Sequence, residues 1–228
     1  MEDKKCILLL DKNEHLANPA EDYARTLFDV IYVVRSERSD KKLPSEFLKL
    51  VYHHNVSFLF NFLSPLKIPI EVLDRVKEYS INFHPASPQY PGVGCASFPI
   101  FNGDEEYGVS AHIIEEEYDS GPIIDTLYFP ILEEDYCDDL FEKALNLSLT
   151  LYYSILLKVS EGQDITESTE TWHRKSMTRK EFESWMVLNP DDGEEINQRK
   201  IRAISHKKFP GPFIELYGKK FELPPREE

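Results

Sequence analysis

The feature that most constrains the fold is an alternation of short apolar runs and helix-compatible segments through the first 85 residues. The apolar runs are rich in β-branched and aromatic residues, as strands are, and the helix-compatible segments are about 10–12 residues long. Strands that alternate with helices form βαβ units in a mostly parallel sheet. The pattern predicts a Rossmann-like open α/β sheet, with strands at KKCILLL, DVIYVVRS, VSFLFNF and SINFH and helices at PAEDYARTLF, PSEFLKLVYHH and IPIEVLDRVKEY.

The next elements are expected to complete this domain. CASFPIFNGD predicts a short helix ending near Gly103, and EYGVSAHIIEEE and PIIDTLYFPI predict two β segments that face each other across the turn YDSG. Apolar residues three or four apart then predict a long amphipathic helix over 136–162. We therefore expect a Rossmann-like domain over 1–165.

The remaining residues, 166–228, have a different character. Their first 20 residues are polar and irregular, 189–206 suggests a capped helix, and FIELYGKKFEL predicts a hairpin turning near Gly218. This C-terminal extension has too little apolar content for an independent core. We expect it to pack on the main domain, to cover the functional site or to make a subunit contact.

Composition limits the possible partners and compartments. The formal charge of −15 and the pI of about 4.9 disfavour a polyanion such as nucleic acid. Three cysteines without C-x-x-C spacing indicate neither a disulfide framework nor a zinc site, and they fit a reducing cytoplasm. The N-terminal apolar run is shorter than the roughly 7–15 residues of a signal peptide and the roughly 20 of a membrane span. We expect a cytoplasmic protein that does not bind membranes.

An asparagine and a histidine end the fourth predicted strand. Successive side chains in a strand point to opposite faces, so Asn82 and His84 share one face at the carboxyl end of a parallel strand. Open α/β sheets bind their ligands beyond that edge. The loop HPASPQYPGVG follows at once and can form a shaped wall. An N-x-H pair alone is weak evidence, because a lone histidine is more often structural than catalytic.

The order of residues around and after this pair resembles the 10-formyltetrahydrofolate-dependent formyltransferase family. That family carries N-x-H-P, a P-x-Y-x-G loop, G-x-S/T-x-H and D-x-G-P-I. This chain has the matching residues in the same order: Asn82, His84, Pro85, Pro88, Tyr90, Gly92, Gly108, Ser110, His112, Asp119, Gly121, Pro122 and Ile123. The histidine-to-proline loop is one residue shorter than usual, so the identity of the acceptor should not be carried over from one relative.

The resemblance implies transfer of a formyl group from 10-formyltetrahydrofolate to a primary amine, without a metal. Asn82 would donate to the oxygen that becomes negatively charged, and one such donor typically contributes about 10²–10³ in rate. His84 would take the amine proton, because its ordinary pKa lies near working pH. Asp119 would orient the imidazole. His112 matches a histidine that is usually structural.

The resemblance also predicts binding residues. Leu66, Ile68, Gly121 and the backbone of Glu115, Glu116 and Glu117 would surround the folate, and the acceptor would contact Lys12, Asn13, Tyr90 and Gly92. Phe209, Phe213 and Tyr217 lie in a tail similar to the IRA…FPG…GK ending of sugar N-formyltransferases. They are candidates for stacking on a base, with core packing as the expected role of most.

The sequence disfavours two of the formyl acceptors that the family uses. No glycine-rich phosphate loop follows the first strand, which disfavours a glycinamide ribonucleotide transformylase. The acidic charge and the short C-terminal extension disfavour a methionyl-tRNA formyltransferase. The remaining branch, which this chain resembles, is that of the sugar N-formyltransferases of surface glycan or lipopolysaccharide O-antigen synthesis. This resemblance implies dTDP-4-amino-4,6-dideoxyglucose as the favoured acceptor and a homodimer as the expected assembly.

Two other classes of protein are disfavoured. A protein that binds nucleotide or folate without turnover would not need Asn82, His84 and Asp119 together, which disfavours that alternative. A dehydrogenase is disfavoured because no G-x-G-x-x-G follows the first strand. Other nucleotides (GDP or UDP) and the 3-amino position of the sugar stay open.

Overall fold

The computed structural model describes residues 4–12, 15–40 and 42–227. Within these ranges the fold is built on a six-stranded sheet of order β2-β1-β3-β4-β5-β6, with a separate two-stranded sheet, β7-β8. The strands are β1 (Lys5–Asp11), β2 (Asp29–Ser36), β3 (Phe58–Phe62), β4 (Tyr79–His84), β5 (Glu106–Ile113), β6 (Ile123–Pro130), β7 (Phe213–Leu216) and β8 (Lys219–Glu222). The helices are α1 (Ala17–Leu27), α2 (Ser45–His53), α3 (Ile70–Leu73), α4 (Ser97–Asn102), α5 (Cys137–Ser160), α6 (Arg179–Trp185) and α7 (Glu194–Ile204).

The sheet is mostly parallel. Strands β1 to β4 run parallel to one another, whereas β5 pairs antiparallel with both β4 and β6. The Rossmann-like prediction is confirmed, and so is the pairing of the two β segments after the fourth strand. Because β5 runs back along β4, the β5–β6 connection starts beside Ser80 near the beginning of β4, and the loop after His84 lies beyond the strand's carboxyl end.

Both faces of the sheet are covered. Along β1, Cys6, Leu8 and Leu10 belong to one hydrophobic cluster, which includes apolar residues of α1 and α5. Ile7 and Leu9 belong to a second cluster, which includes residues of α2 and α3. This alternation is what a strand buried on both faces requires.

Two helix predictions were wrong. The helix expected over IPIEVLDRVKEY is a single turn, because the N–H groups of Lys77 and Glu78 donate to Val56 O and Ser57 O and draw the chain into β4. The stretch read as irregular contains α6, whose Thr178 and Glu181 cap each other's backbone at the helix start.

The extension packs on the main domain, as expected. Phe182 of α6 and Ala203 of α7 are buried in the larger cluster. Arg202 Nε donates to Asp135 O at 3.1 Å. The division at residue 165 itself stays a prediction.

Core packing was the wrong expectation for two of the three tail aromatics. Phe213 is buried, whereas Phe209 and Tyr217 are 57% and 102% exposed. Tyr217 sits at the tip of the β7–β8 turn with a positive φ. No helix in the parts of the chain that the structure describes is long and apolar enough to cross a bilayer.

Candidate active site

The polar residues that end β4 face the opposite side of the sheet from its apolar ones. Ile81 and Phe83 belong to the cluster that contains α5. Asn82 pairs with His112 across the β4–β5 register, and Asn82 Nδ2 lies 2.9 Å from His112 Nε2. His112 Nδ1 lies 2.7 Å from Ile113 O and can donate to it. This leaves Nε2 free to accept from the Asn82 amide, which orients the amide.

Asp119 reaches the same place from the β5–β6 connection. Its φ of +46° is unusual for a residue other than glycine, and such strain is often concentrated at functional sites. Its Oδ2 accepts a hydrogen bond from the Gly92 N–H at 2.9 Å, which ties the connection to the loop after β4. Its Oδ1 lies 3.5 Å from both Asn82 Nδ2 and His112 Nε2.

His84 lies between this carboxylate and the loop. Its Nδ1 is 3.6 Å from Asp119 Oδ2, and its Nε2 is 3.4 Å from Tyr90 O. Both distances are long for hydrogen bonds, and catalytic contacts often tighten only when substrate binds. Because each ring nitrogen faces a proton acceptor, the surroundings can stabilise the imidazolium that forms when His84 takes a proton.

Burial and charge set the protonation states. Burial lowers the pKa of His84, the Asp119 carboxylate raises it, His112 lowers it, and the net direction is down. Burial alone would raise the pKa of Asp119, but the neighbouring imidazoles and the Gly92 N–H lower it to about 2. Near neutral pH the site therefore holds a neutral imidazole beside a carboxylate, which is a suitable pair for general base catalysis.

Two of the residues predicted on the acceptor side, Tyr90 and Gly92, lie on the loop after His84. Tyr90 is buried, and its hydroxyl donates to Asp104 Oδ2 and accepts from Asn102 Nδ2. Burial first, and then the Asp104 carboxylate, raise the Tyr90 pKa to about 12, so the phenol stays protonated. A cavity of about 830 Å³ opens beside this loop, lined by Ser87, Gln89, Tyr90, Asp104, Glu105, Glu106, Tyr128, Phe129 and Pro130.

The residues predicted on the folate side lie on two connections. Leu66 and Ile68 are 4% and 3% exposed and pack in the smaller hydrophobic cluster, so little of either side chain is open to a ligand. The side chains of Glu115, Glu116 and Glu117 are exposed. A role for these three through their backbone is compatible with that placement.

Gly121 lies close to the backbone of β5, so packing within the chain, not a ligand, explains the glycine at this position. A Cβ at this position would lie 2.1 Å from Ile113 O, so the packing of the connection against β5 already requires glycine. The Gly121 carbonyl accepts from the Trp172 indole N–H at 2.8 Å.

Lys12 lies at the end of β1, away from the imidazole cluster. Its N–H donates to Ser36 O at 2.7 Å, and its ammonium is 3.8 Å from Glu37 Oε2. Asn13 lies outside the described residues. The structure does not bring Lys12 into contact with His84 or Asp119.

Sequence reasoning missed Trp172. Its ring centroid is 5.1 Å from that of His112 and 6.1 Å from that of His84, and both ring pairs meet edge-on. The one signal available was a tryptophan within an otherwise polar stretch, TETWHRKS. Among the described residues, no group of three or more His, Cys, Asp or Glu is arranged to hold a metal ion.

This chain resembles known proteins in sequence and in fold. Residues 19–156 match the family described as Formyl transferase. The GDP-perosamine N-formyltransferase of Brucella melitensis is 27% identical over 158 residues, which cover 69% of this chain and 60% of that enzyme. Methionyl-tRNA formyltransferases and a phosphoribosylglycinamide formyltransferase are also among the relatives. The chain thus spans less than two thirds of the length of the first of these relatives.

Solved structures share the fold over nearly the whole chain. A 4-N formyltransferase from Francisella tularensis aligns with a TM-score of 0.76 at 15% identity, covering 99% of this chain and 98% of that one. An N-formyltransferase from Helicobacter canadensis, solved with folinic acid and dTDP-3-aminofucose, aligns with a TM-score of 0.67 at 20% identity, covering 96% and 86%. At these identities the likeness is one of fold.

Proposed function

The chain belongs to the formyl transferase family, and from that premise we propose that it transfers a formyl group from 10-formyltetrahydrofolate to the primary amine of a nucleotide-linked amino sugar. The observation that carries this proposal is the convergence of Asn82, His84 and Asp119. They come from a strand end and a connection 37 residues apart, yet Asp119 lies within 3.6 Å of both other side chains. A packing role alone does not require a strained aspartate and a buried imidazole at one sheet edge.

Each residue has a step that its surroundings suit. Asn82, whose amide is oriented by His112, donates from Nδ2 to the formyl oxygen as negative charge develops there. His84 takes a proton from the attacking amine and returns one to the leaving nitrogen. Asp119 stays ionised throughout, since its pKa is about 2, and stabilises the imidazolium. The folate supplies the activated formyl group, and these three side chains supply orientation and proton transfer.

The surface beside the site fits a folate. The N–H groups of Glu115, Glu116 and Glu117 donate to no other backbone carbonyl within the described chain, so they are available to a pterin ring. Leu66 and Ile68 stay proposed as folate contacts only through the small part of each side chain that lies outside the core. Gly121 stays proposed as a folate contact, although its carbonyl already accepts from the Trp172 indole.

For the acceptor, we propose dTDP-4-amino-4,6-dideoxyglucose as the first candidate, used in O-antigen or other surface glycan synthesis in the cytoplasm. A 4-N formyltransferase and a protein bound to a 3-amino sugar share this fold, so the fold does not decide the amino position. Tyr90 and Gly92 would border the acceptor on the loop after His84, and we propose Lys12 and Asn13 as contacts of the nucleotide's phosphates. We also propose a homodimer.

The test is an acceptor panel with purified protein and 10-formyltetrahydrofolate, followed by folate absorbance and product mass. The panel holds dTDP-linked 3-amino and 4-amino sugars, GDP-perosamine, a UDP-linked amino sugar, glycinamide ribonucleotide and methionyl-tRNA. Formylation of a nucleotide-linked sugar, lost in His84→Asn, is the expected result. Formylation of glycinamide ribonucleotide or methionyl-tRNA alone would overturn the acceptor, and folate binding without any transfer would identify a binding protein.

A further inference from the structure

Trp172 is the residue of the C-terminal extension that lies against the candidate active site. Its indole meets the His112 ring at an interplanar angle of 89° and the His84 ring at 65°. Edge-on contact of this kind is a favoured geometry between aromatic rings. The indole therefore contacts both imidazoles of the site from one side.

The contact is fixed at both ends. The indole N–H donates to Gly121 O at 2.8 Å, next to the connection that carries Asp119. Residues 172–177, here called the strap, follow the loop after β4: His173 N donates to Pro88 O at 3.1 Å, Met177 N donates to Pro91 O at 3.1 Å, and Val93 N donates to Met177 O at 2.9 Å. The strap therefore moves only if these backbone bonds break.

The start of the extension is also hydrogen-bonded to β6. Glu170 accepts from Thr126 Oγ1 at 2.5 Å and from Tyr128 Oη at 2.6 Å, and Ser168 N donates to Ile123 O at 2.7 Å. These bonds leave the chain only a few residues in which to cross the sheet edge. The position of the indole is therefore set on both sides of Trp172.

An imidazole that transfers protons must hold one orientation, and a small misplacement can cost about 10²-fold in rate. His84 and His112 are 8% and 2% exposed, and the indole is one of the groups packed against their rings. We propose that Trp172 is a positioning residue for formyl transfer: it holds the imidazoles of His84 and His112 in place and keeps water from them. The inference rests on the proposed function, which it extends to the C-terminal extension.

The groups around His84 predict how removal of the indole changes the pH dependence of the rate. The groups that face the imidazole are the Asp119 carboxylate, the His112 ring, the Tyr90 carbonyl and the indole. Without the indole, water reaches the ring and the burial that lowers its pKa is relieved. Since the neutral ring is the active form, the acid limb of the pH–rate profile should move to higher pH.

Kinetics of Trp172→Ala and Trp172→Phe test this, with Trp185→Phe as the matched control. Trp185 lies in the same extension but packs on Phe98, Phe101 and Phe182. We expect Trp172→Ala to lower kcat by about 10–10²-fold and to move the acid limb to higher pH, with Trp172→Phe intermediate. Trp185→Phe should keep the wild-type pH profile. An unmoved acid limb in a folded Trp172→Ala protein would overturn the proposal.

A second measurement does not depend on formyl transfer. The chain has two tryptophans, so Trp185→Phe leaves Trp172 as the sole indole emitter. A protonated imidazole quenches indole emission, so the emission should fall as the pH is lowered, and His84→Asn should weaken that fall because it removes one of the two imidazoles that the indole contacts. Emission that is flat between pH 4 and 8, or unchanged by His84→Asn, would overturn the proposal. Because no substrate is present, this result stands even if the acceptor panel fails.

Discussion

The candidate active site and the C-terminal hairpin place polar and apolar side chains in opposite ways. At the site, His84 and His112 are buried; in β7–β8, Leu216, Tyr217 and Phe221 are more than half exposed. Burying polar groups costs free energy unless they are paired, and clustered apolar surface usually marks a contact. The difference indicates that the polar groups of the site are paired inside the chain, whereas the hairpin exposes apolar side chains where the proposed dimer contact would form.

The largest effects should come from the site's own side chains. His84→Asn and Asp119→Asn are each expected to lower turnover by at least about 10²-fold, because one removes the base and the other removes the charge that stabilises it. Circular dichroism and thermal unfolding should show both variants folded. Full turnover in either variant would remove that residue from the mechanism and weaken the contrast with the hairpin.

Alanine substitution of one glycine in each region compares the site with the hairpin directly. Gly92 and Gly218 have φ of +86° and +71°, but a Cβ at Gly92 would lie 2.4 Å from Met177 N, whereas one at Gly218 would meet nothing within 4 Å. Gly218→Ala should cost about 1–2 kcal/mol at most, through the left-handed backbone alone. Gly92→Ala should cost more in denaturant unfolding and should also reduce turnover, since it displaces the strap. Equal losses in stability and unchanged turnover would contradict this account.

The pH dependence of turnover tests how the buried charges of the site act on His84. Burial lowers the pKa of His84 and the Asp119 carboxylate raises it, so the acid limb of the wild-type profile should have its midpoint below 6.5. Asp119→Asn removes the raising effect, and the acid limb of its residual activity should move to still lower pH, opposite to the shift expected for Trp172→Ala. Rates measured from pH 4 to 8 test the sign. An upward shift in Asp119→Asn would mean that the carboxylate does not act on His84 as described.

The smallest effect on turnover is expected in the hairpin. Phe221→Lys replaces an exposed ring by a charge, so per-subunit turnover should stay within about twofold of wild type. If the hairpin forms the dimer contact, light scattering after gel filtration should show a smaller particle than wild type. Glu222→Lys, a charge change on the adjacent strand residue, serves as the control for altered charge alone. A dimer that persists in Phe221→Lys would place the contact elsewhere.

Several elements could be read from local sequence. The four parallel strands, the long helix α5 and the hairpin follow from apolar runs, helical periodicity and turn residues, which act over a few neighbouring positions. The helix predicted before β4 failed because strand pairing to Val56 and Ser57 outweighed helical spacing. The short α6 was missed although its capping pair, Thr178 and Glu181, was present in the sequence.

The sequence by itself determined that the sheet is mostly parallel and which chemical groups form the site. Side chains alternate between the two faces of a strand, so Asn82 and His84 share one face at a strand end, and the ordered motif places Asp119 after them. Only the tertiary structure decided that His112 orients the Asn82 amide, that Gly121 is needed against Ile113, and that Trp172 lies on the imidazoles. Those facts depend on contacts between distant residues. The chain's local preferences do not encode such contacts, since they arise only when the sheet, the connection and the extension pack together.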